Sequence, residues 1–464
     1  MQTTLQHLLP ALSQATVSAD LAADVSLSGV TTDSRRIAPG NLFVALRGDN
    51  FDAHDFLEQV ASSGAAAVIA ERVPANFALP AIIVPDTKLA LAETGRYWRQ
   101  QFTLPVIGVT GSNGKTTVKE MIAAILATAF GETARLSTSG NLNNEIGVPL
   151  TLLGLTSQHR AAVIEMGMNH PGEIALLASV AQPGVVLVNN AQREHQEFMQ
   201  TVQAVAEENG SAIRALPHDG VAVFPYADEY SALWAAYAKE SGQRRILRFG
   251  LQAEAEVSAS YVPQQFGSLL TASFQGRNHS IRLKAAGEHN VLNALAAAAC
   301  CVAIGIPDAQ IVQGLEAFAP VKGRLQAQTL SNGALLIDDT YNANPDSVRA
   351  AIDVLRQSAG PRMLVLGDMG EVGVNGPQFH AEIGAFARES GITHLYLLGE
   401  LVAHAVSAYG TGAQHFASAE ALQSALSAAL TADSTVLVKG SRFMKMERVV
   451  QYLASQTELV STLQ

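Results

Sequence analysis

Between the apolar run Leu104 to Val109 and a stretch with apolar residues at helical spacing, Val118 to Leu126, lies Val109-Thr110-Gly111-Ser112-Asn113-Gly114-Lys115-Thr116-Thr117. The first run predicts a buried strand and the second a helix, so the glycines fall on a strand-to-helix turn. That is the setting a phosphate-binding loop requires. Gly111 and Gly114 permit positive φ and close backbone approach, and the helix N-terminus directs N–H groups at an anion. Lys115 would neutralise phosphate oxygens, and the Thr116 hydroxyl would ligate Mg²⁺. The two glycines stand closer together than in the usual loop of this kind. A glycine-rich turn with no ligand is the plainer alternative.

The length of 464 residues suggests about three domains, at roughly 150 residues each. With 48% hydrophobic and 15% charged residues, large cores can form. The net charge of −11 argues against a nucleic-acid partner or an anionic membrane. It leaves an anionic nucleotide open, because one lysine and a helix terminus suffice to hold it. Cys300 and Cys301 are adjacent in an alanine-rich run and are expected to be small core residues in a reducing compartment. The start, Met1 to Gln6, lacks a basic segment followed by an apolar core, and no run is long enough to span a bilayer. A cytoplasmic protein is expected.

Residues 1–102 form a first unit of short strands and helices, with strand patterns at Val25–Val30, Asn41–Leu46, Ala65–Ala70 and Ala81–Val84. Asp33-Ser34-Arg35 puts a hydroxyl and a cation beside a turn, where a pyrophosphate could use both and an ordinary polar turn is the alternative. Residues 103–320 alternate strands and helices, which predicts a mostly parallel sheet covered on both faces. Asn141, Asn143 and Asn144 fill a loop that could hydrogen-bond a polar ligand or simply be solvated. Glu165 ends a strand, where it can ligate Mg²⁺ or cap the next helix. His195 follows another strand as a metal ligand or a solvated histidine. The runs Ala255–Tyr261 and Leu269–Phe274 look antiparallel, and Asn290 opens a helix as a cap or a base contact. Residues 321–464 return to alternating strands and helices. Polar clusters follow successive strands at Asp338–Ser347, Gly367–Glu371 and Lys439–Arg442, which places a site along one sheet edge.

With those residues in view, the chain resembles the Mur ligases, ATP-dependent amide-bond-forming enzymes of peptidoglycan synthesis, over essentially its whole length. Thr110 to Thr117 looks like their ATP loop. Glu165-Met166-Gly167, Gly287-x-His289-Asn290, Gly323-Arg324 and the segment Asp339 to Pro345 recur in the expected order. Within the family, the segments Asp339–Pro345 and Gly367–Glu371 are similar to the branch that adds D-Ala-D-Ala to UDP-N-acetylmuramoyl-tripeptide.

The resemblance implies a three-domain α/β fold: a small UDP-sugar domain, a phosphate-loop ATPase-like domain with a mostly parallel sheet, and a Rossmann-like doubly wound domain. It implies ATP and Mg²⁺ as cofactors and UDP-N-acetylmuramoyl-tripeptide and D-Ala-D-Ala as small-molecule substrates; a monomer is expected, with no nucleic-acid partner and no stable membrane insertion. Ser34 and Arg35 would lie near the uridine diphosphate, and Asn143 and Asn144 near the sugar-peptide. Gly111, Ser112, Asn113, Gly114, Lys115, Thr116 and Thr117 would hold the nucleotide, with Asn290 at adenine and Arg324 and Asp339 completing its site. Thr116, Glu165 and His195 would hold metal. Lys115, Glu165 and His195 carry the catalytic expectation. Tyr341, Asn342 and Asn344 would lie close to the entering dipeptide.

One departure is visible. Many members carry a carbamate-modified lysine about fourteen residues beyond the histidine that His195 matches. Here the region reads Val205-Ala206-Glu207-Glu208-Asn209-Gly210. Asn209 or Glu208 stands there, and a carboxylate could substitute as a metal ligand. The rival readings are another Mur-type ligase that adds the third residue, a folylpolyglutamate-synthetase-like ligase, and a nucleotide-binding regulatory or motor protein.

Overall fold

The computed structural model describes residues 1–18 and 25–461, with side chains described as far as residue 455. Its largest sheet has nine strands. Seven run parallel in the spatial order Arg135–Ser137, Ala161–Glu165, Val106–Thr110, Val185–Val188, Val221–Pro225, Arg245–Gly250 and Val257–Gln264. Gly267–Phe274 and Arg277–Leu283 then close the edge as an antiparallel meander, which matches the alternating runs of the sequence.

Apolar residues on alternate positions of these strands feed two cores, one on each sheet face. One core packs helices Lys115–Phe130, Glu288–Ala303 and Asp308–Ala317. Cys300 and Cys301 are fully buried and free within it, and burial pushes both thiols up. The opposite core packs Glu173–Ala181, Val202–Arg214 and Ser231–Lys239.

The position of Val106–Thr110 decides where a ligand can bind. It lies between Ala161–Glu165 and Val185–Val188, with Val109 level with both Glu165 and Leu187. The chain leaves this strand toward one edge and returns on its other side. Such a reversal opens a crevice at the carboxyl ends of the strands.

Among the described residues the N-terminal sheet has five strands in the order Thr16–Val17, Ala81–Ile83, Ala67–Ala70, Leu42–Val44 and Val30–Thr31, with Thr16–Val17 antiparallel to its neighbour. Its extended run near Val25–Val30 is split, because Gly29 takes φ +103°. The C-terminal sheet has six strands in the order Gln326–Thr329, Leu335–Asp339, Thr435–Lys439, Arg362–Gly367, His394–Leu398 and Ala413–Phe416. All pairs but the first are parallel, and apolar cores cover both faces. Strand Thr435–Lys439 is last in sequence yet sits between Leu335–Asp339 and Arg362–Gly367. It therefore brings Lys439 beside Asp339. The exposed edge strands Gln326–Thr329 and Ala413–Phe416 carry mixed polar sequence and gave no clear alternation.

Candidate active site

A cavity of about 890 Å³ lies where the phosphate loop, the strand ends of the central sheet and the strand ends of the C-terminal sheet meet. The loop has the expected conformation: Gly111 and Gly114 have φ +131° and +83°. A Cβ on Gly114 would come within 2.4 Å of Asn293 Oδ1 and 2.7 Å of Asn189 Nδ2, so side chains as well as φ require glycine there.

Lys115 begins the helix and its ammonium folds back over the loop. It donates to Gly111 O at 2.5 Å, Ser112 O at 3.0 Å and Glu194 Oε1 at 2.9 Å. This parks a cation in the crevice, held by partners that an anion can replace. The Thr116 hydroxyl donates to Glu165 Oε1 at 3.2 Å and accepts from Arg324 at 3.1 Å. Asn143 Nδ2 also donates to Glu165 Oε1, at 2.8 Å. Glu165 is 2% exposed, and its Oε2 is buried without a hydrogen-bond partner. Glu194 Oε2 is in the same condition. A buried carboxylate oxygen left unpaired is costly unless a cation completes it.

That observation is the test of fit for Mg²⁺. Among the described residues no group of three or more His, Cys, Asp or Glu could hold a metal by itself. Mg²⁺ does not need one: it keeps several waters and is held by one or two protein oxygens together with substrate phosphates. Thr116 and Glu165 meet that requirement.

His195 has a different environment. Its φ is +49°, and its ring stands between two carboxylates, with Nε2 3.4 Å from Glu194 and Nδ1 2.5 Å from Glu371. Burial lowers its affinity for a proton, but the two carboxylates outweigh that and carry its pKa up to about 9. His195 in turn holds the Glu371 carboxyl below the ordinary range. In this arrangement His195 is an imidazolium, and it reaches a metal only after losing that proton.

The loop is also clamped from its other side by residues the sequence did not single out. Asn113 N donates to Asn190 Oδ1 at 2.8 Å, Asn113 Nδ2 to Gln192 Oε1 at 2.6 Å, and Gln192 N to Ser112 Oγ at 2.9 Å. Asn189 Nδ2 bridges Asn113 O at 2.8 Å and Asn293 Oδ1 at 3.0 Å. Asn293 lies three residues beyond Asn290 on one helix face, and that spacing could have found it. Thr117 lines the same cavity.

Asn290 is not the helix cap; Gly287 holds that position. The Asn290 amide donates to Ala286 O at 2.8 Å and accepts from Asn293 at 3.2 Å, so both its ends are engaged within the protein. Arg324 stacks over the Tyr341 ring, 4.1 Å from its centroid. Asp339 accepts from Lys439 Nζ at 2.6 Å and from Leu325 N at 3.2 Å. Asn342 Oδ1 accepts from Ala343 N at 2.9 Å. Asn344 caps helix Pro345–Leu355, with Ser347 completing a capping box. Asn144 lines the cavity and accepts from Gly147 N at 2.9 Å. Ser34 and Arg35 are not brought here. Arg35 is exposed and pairs with Asp33 at 2.9 Å, in the N-terminal unit.

Glu208 is not a substitute metal ligand in this structure. Its carboxylate accepts from Gly172 N at 2.9 Å and Ile174 N at 2.8 Å, capping helix Glu173–Ala181. Asn209 faces the phosphate loop instead.

Comparison with known proteins agrees with this geometry. Residues 26–97 match the model described as Mur ligase family, catalytic domain; residues 109–301 match Mur ligase middle domain; residues 323–442 match Mur ligase, glutamate ligase domain. The chain is 41% identical to UDP-N-acetylmuramoyl-tripeptide–D-alanyl-D-alanine ligase of Escherichia coli over 435 residues, covering 93% of this chain and 94% of that one. The crystal structure of MurF from Acinetobacter baumannii superimposes with a TM-score of 0.91 at 35% identity, covering 98% and 99% of the two chains. MurF ligase from Thermotoga maritima in complex with ADP gives a TM-score of 0.83 at 26% identity, covering 92% and 97%. The chain belongs to the Mur ligase family.

Proposed function

We infer that this protein is an ATP-dependent ligase that joins D-Ala-D-Ala to UDP-N-acetylmuramoyl-tripeptide, giving ADP, phosphate and the pentapeptide precursor of peptidoglycan. The observation that supports this most directly is the single cavity shared by a phosphate loop and the C-terminal strand ends, in a chain 41% identical to a ligase of that name. A nucleotide-binding regulator or motor gives no reason for the C-terminal sheet to close over the loop.

In the proposed reaction the tripeptide carboxylate attacks the γ-phosphorus of ATP, ADP leaves, and an acyl phosphate forms. The dipeptide amine attacks the acyl carbon, and the tetrahedral intermediate expels phosphate and loses a proton to give the amide. Lys115 moves from the loop carbonyls and Glu194 to the phosphate oxygens, and first-turn N–H groups of its helix share the charge. Thr116 and Glu165 would hold Mg²⁺, which supplies charge neutralisation at the phosphates when bound. Asn143 orients Glu165 and lines the path of the sugar-peptide. Ser34 and Arg35 hold the diphosphate in the unit 1–102, away from the chemistry. Tyr341, Asn342 and Asn344 line the approach of the amine from the unit 321–464. Asn290, Arg324 and Asp339 shape the nucleotide end of the cavity, in large part through the residues they bind. Closure of the C-terminal unit on 103–320 excludes water from the acyl phosphate.

We propose also that the protein is a cytoplasmic monomer. Among the described residues no helix is long and apolar enough to cross a membrane. The deciding experiment is phosphate release from ATP with UDP-N-acetylmuramoyl-tripeptide, with and without D-Ala-D-Ala. Release that requires both, with a pentapeptide product by mass, supports the reading. Release with a free diamino acid and a dipeptide precursor moves the protein to the neighbouring ligase.

A further inference from the structure

Asn209 is 1% exposed on helix Val202–Arg214. Its carboxamide oxygen accepts from Thr110 Oγ1 at 2.5 Å and from Gly111 N at 3.0 Å, the two residues that open the phosphate loop. Its amide nitrogen donates to Val205 O at 3.1 Å, one turn back on its own helix. This second bond decides which end of the carboxamide meets the loop, because the reversed amide would set its oxygen against the Val205 carbonyl and its NH₂ against the Gly111 N–H. The mount is rigid. At the adjacent Gly210 a Cβ would come within 2.8 Å of the Trp234 ring, and the Trp234 indole bonds Ala206 O at 2.9 Å.

Gly111 can adopt conformations closed to other residues, so something outside it must choose one. Asn209 holds its N–H, and its carbonyl then meets Lys115 Nζ at 2.5 Å. On the far side, Ser112 N donates to Asn190 O at 3.2 Å and Asn113 N to Asn190 Oδ1 at 2.8 Å. The N–H groups of Gly111, Ser112 and Asn113 are thus all committed to protein acceptors. The first-turn N–H groups of helix Lys115–Phe130 remain for an anion.

We propose that Asn209 is a positioning residue for the nucleotide: it presets the phosphate loop and Lys115 for the triphosphate without touching it. The proposal rests on the reading of ATP at this loop. It accounts for a polar side chain buried where an apolar one would otherwise pack, since an unpaired carboxamide there would be destabilising.

The test uses the full-length enzyme and three variants, Asn209→Leu, Thr110→Val and the double substitution. Initial rates with ATP varied at saturating peptide substrates give KM and kcat. Calorimetric titration with Mg-ADP gives binding without turnover. For Asn209→Leu the KM for ATP and the Kd for ADP should rise roughly ten- to hundredfold, as both hydrogen bonds to the loop are lost. KM for the tripeptide and dipeptide should stay within about threefold. Thr110→Val removes one of the two bonds and should raise KM for ATP several-fold, but should add little on top of Asn209→Leu, because its partner is already gone. A folded Asn209→Leu whose KM and Kd for nucleotide stay within about twofold of the parent overturns the proposal. So does additivity in the double variant. If Asn209→Leu does not fold, an unchanged nucleotide KM in Thr110→Val overturns it, and a several-fold rise supports it. Absence of ADP or ATP binding by the unmodified protein would instead sink the nucleotide reading itself.

Discussion

Asn113 of the phosphate loop and Asn344 at the head of helix Pro345–Leu355 face each other amide to amide, with Asn344 Nδ2 2.9 Å from Asn113 Oδ1 and Asn113 Nδ2 3.4 Å from Asn344 Oδ1. The same Asn344 oxygen caps its helix, accepting from Ser347 N at 2.8 Å. One side chain therefore ends a helix of the C-terminal sheet and reports the position of the ATP loop to it. Asn344→Ser should keep the cap, changing stability by only a few tenths of a kcal/mol, but cannot reach Asn113. Thermal melts near those of the parent together with a kcat lowered about tenfold or more are expected. A parent-like kcat would show the amide pair to be incidental.

Lys115→Ala removes the cation that the loop carbonyls and Glu194 hold in place. Turnover should fall by at least about a hundredfold, the scale of losing one preorganised charge at a transferring phosphoryl group. The fold should survive, because the Lys115 ammonium binds loop acceptors at the cavity rather than packing in the core. Circular dichroism and phosphate release on one preparation check both halves.

Arg193 joins the central sheet to the C-terminal unit through Asp346 at 2.6 Å and Glu382 at 2.8 Å, and stacks 5.3 Å from the Phe379 ring. Its loop neighbours Gln192, Glu194 and His195 all line the cavity. Arg193→Met should leave each unit folded and shift the balance toward an open form. Small-angle scattering should show a larger radius of gyration than the parent, and kcat should fall more than the melting temperature does. High salt should act on the parent in the same direction.

The two carboxylates around His195 raise its pKa in the folded protein from about 6.5 to about 9. A group whose folded pKa is raised contributes stability that is fully present below its unfolded pKa and is lost as pH rises through the folded value. The parent should therefore lose stability between about pH 6.5 and 9, by up to roughly 3 kcal/mol. Urea midpoints across that range should fall more steeply than those of His195→Asn. Parallel curves would mean that the carboxylates do not hold the proton.

Glu208→Ala removes the cap that Gly172 and Ile174 share. The expected outcome is a stability loss of about 1 kcal/mol with the Mg²⁺ dependence of activity unchanged. A weakened Mg²⁺ response would restore Glu208 as a metal ligand.

Much of this protein was decided by local sequence. The strand, the positive-φ glycines and the helix of the phosphate loop follow from residues within about twenty positions, because backbone freedom and apolar period act at short range. The alternation of strands and helices likewise announces parallel sheets with two covered faces. The edge strands escaped because a half-solvated edge needs no hydrophobic period. What the sequence left open are the partners. Asn290 reads as a cap or a base contact and is neither a cap nor a free amide, because Asn293 and Ala286 take its two ends. Glu208 and Asn209 are equal candidates in the sequence. On a helix, successive residues point about 100° apart, so one reaches the end of Glu173–Ala181 while the other reaches Gly111. Lys439 meets Asp339 across 100 residues because the final strand inserts at the centre of its sheet. Strand order, helix rotation and the closure that brings Asn344 to Asn113 are set by the packing of whole sheets, and no window of sequence contains them.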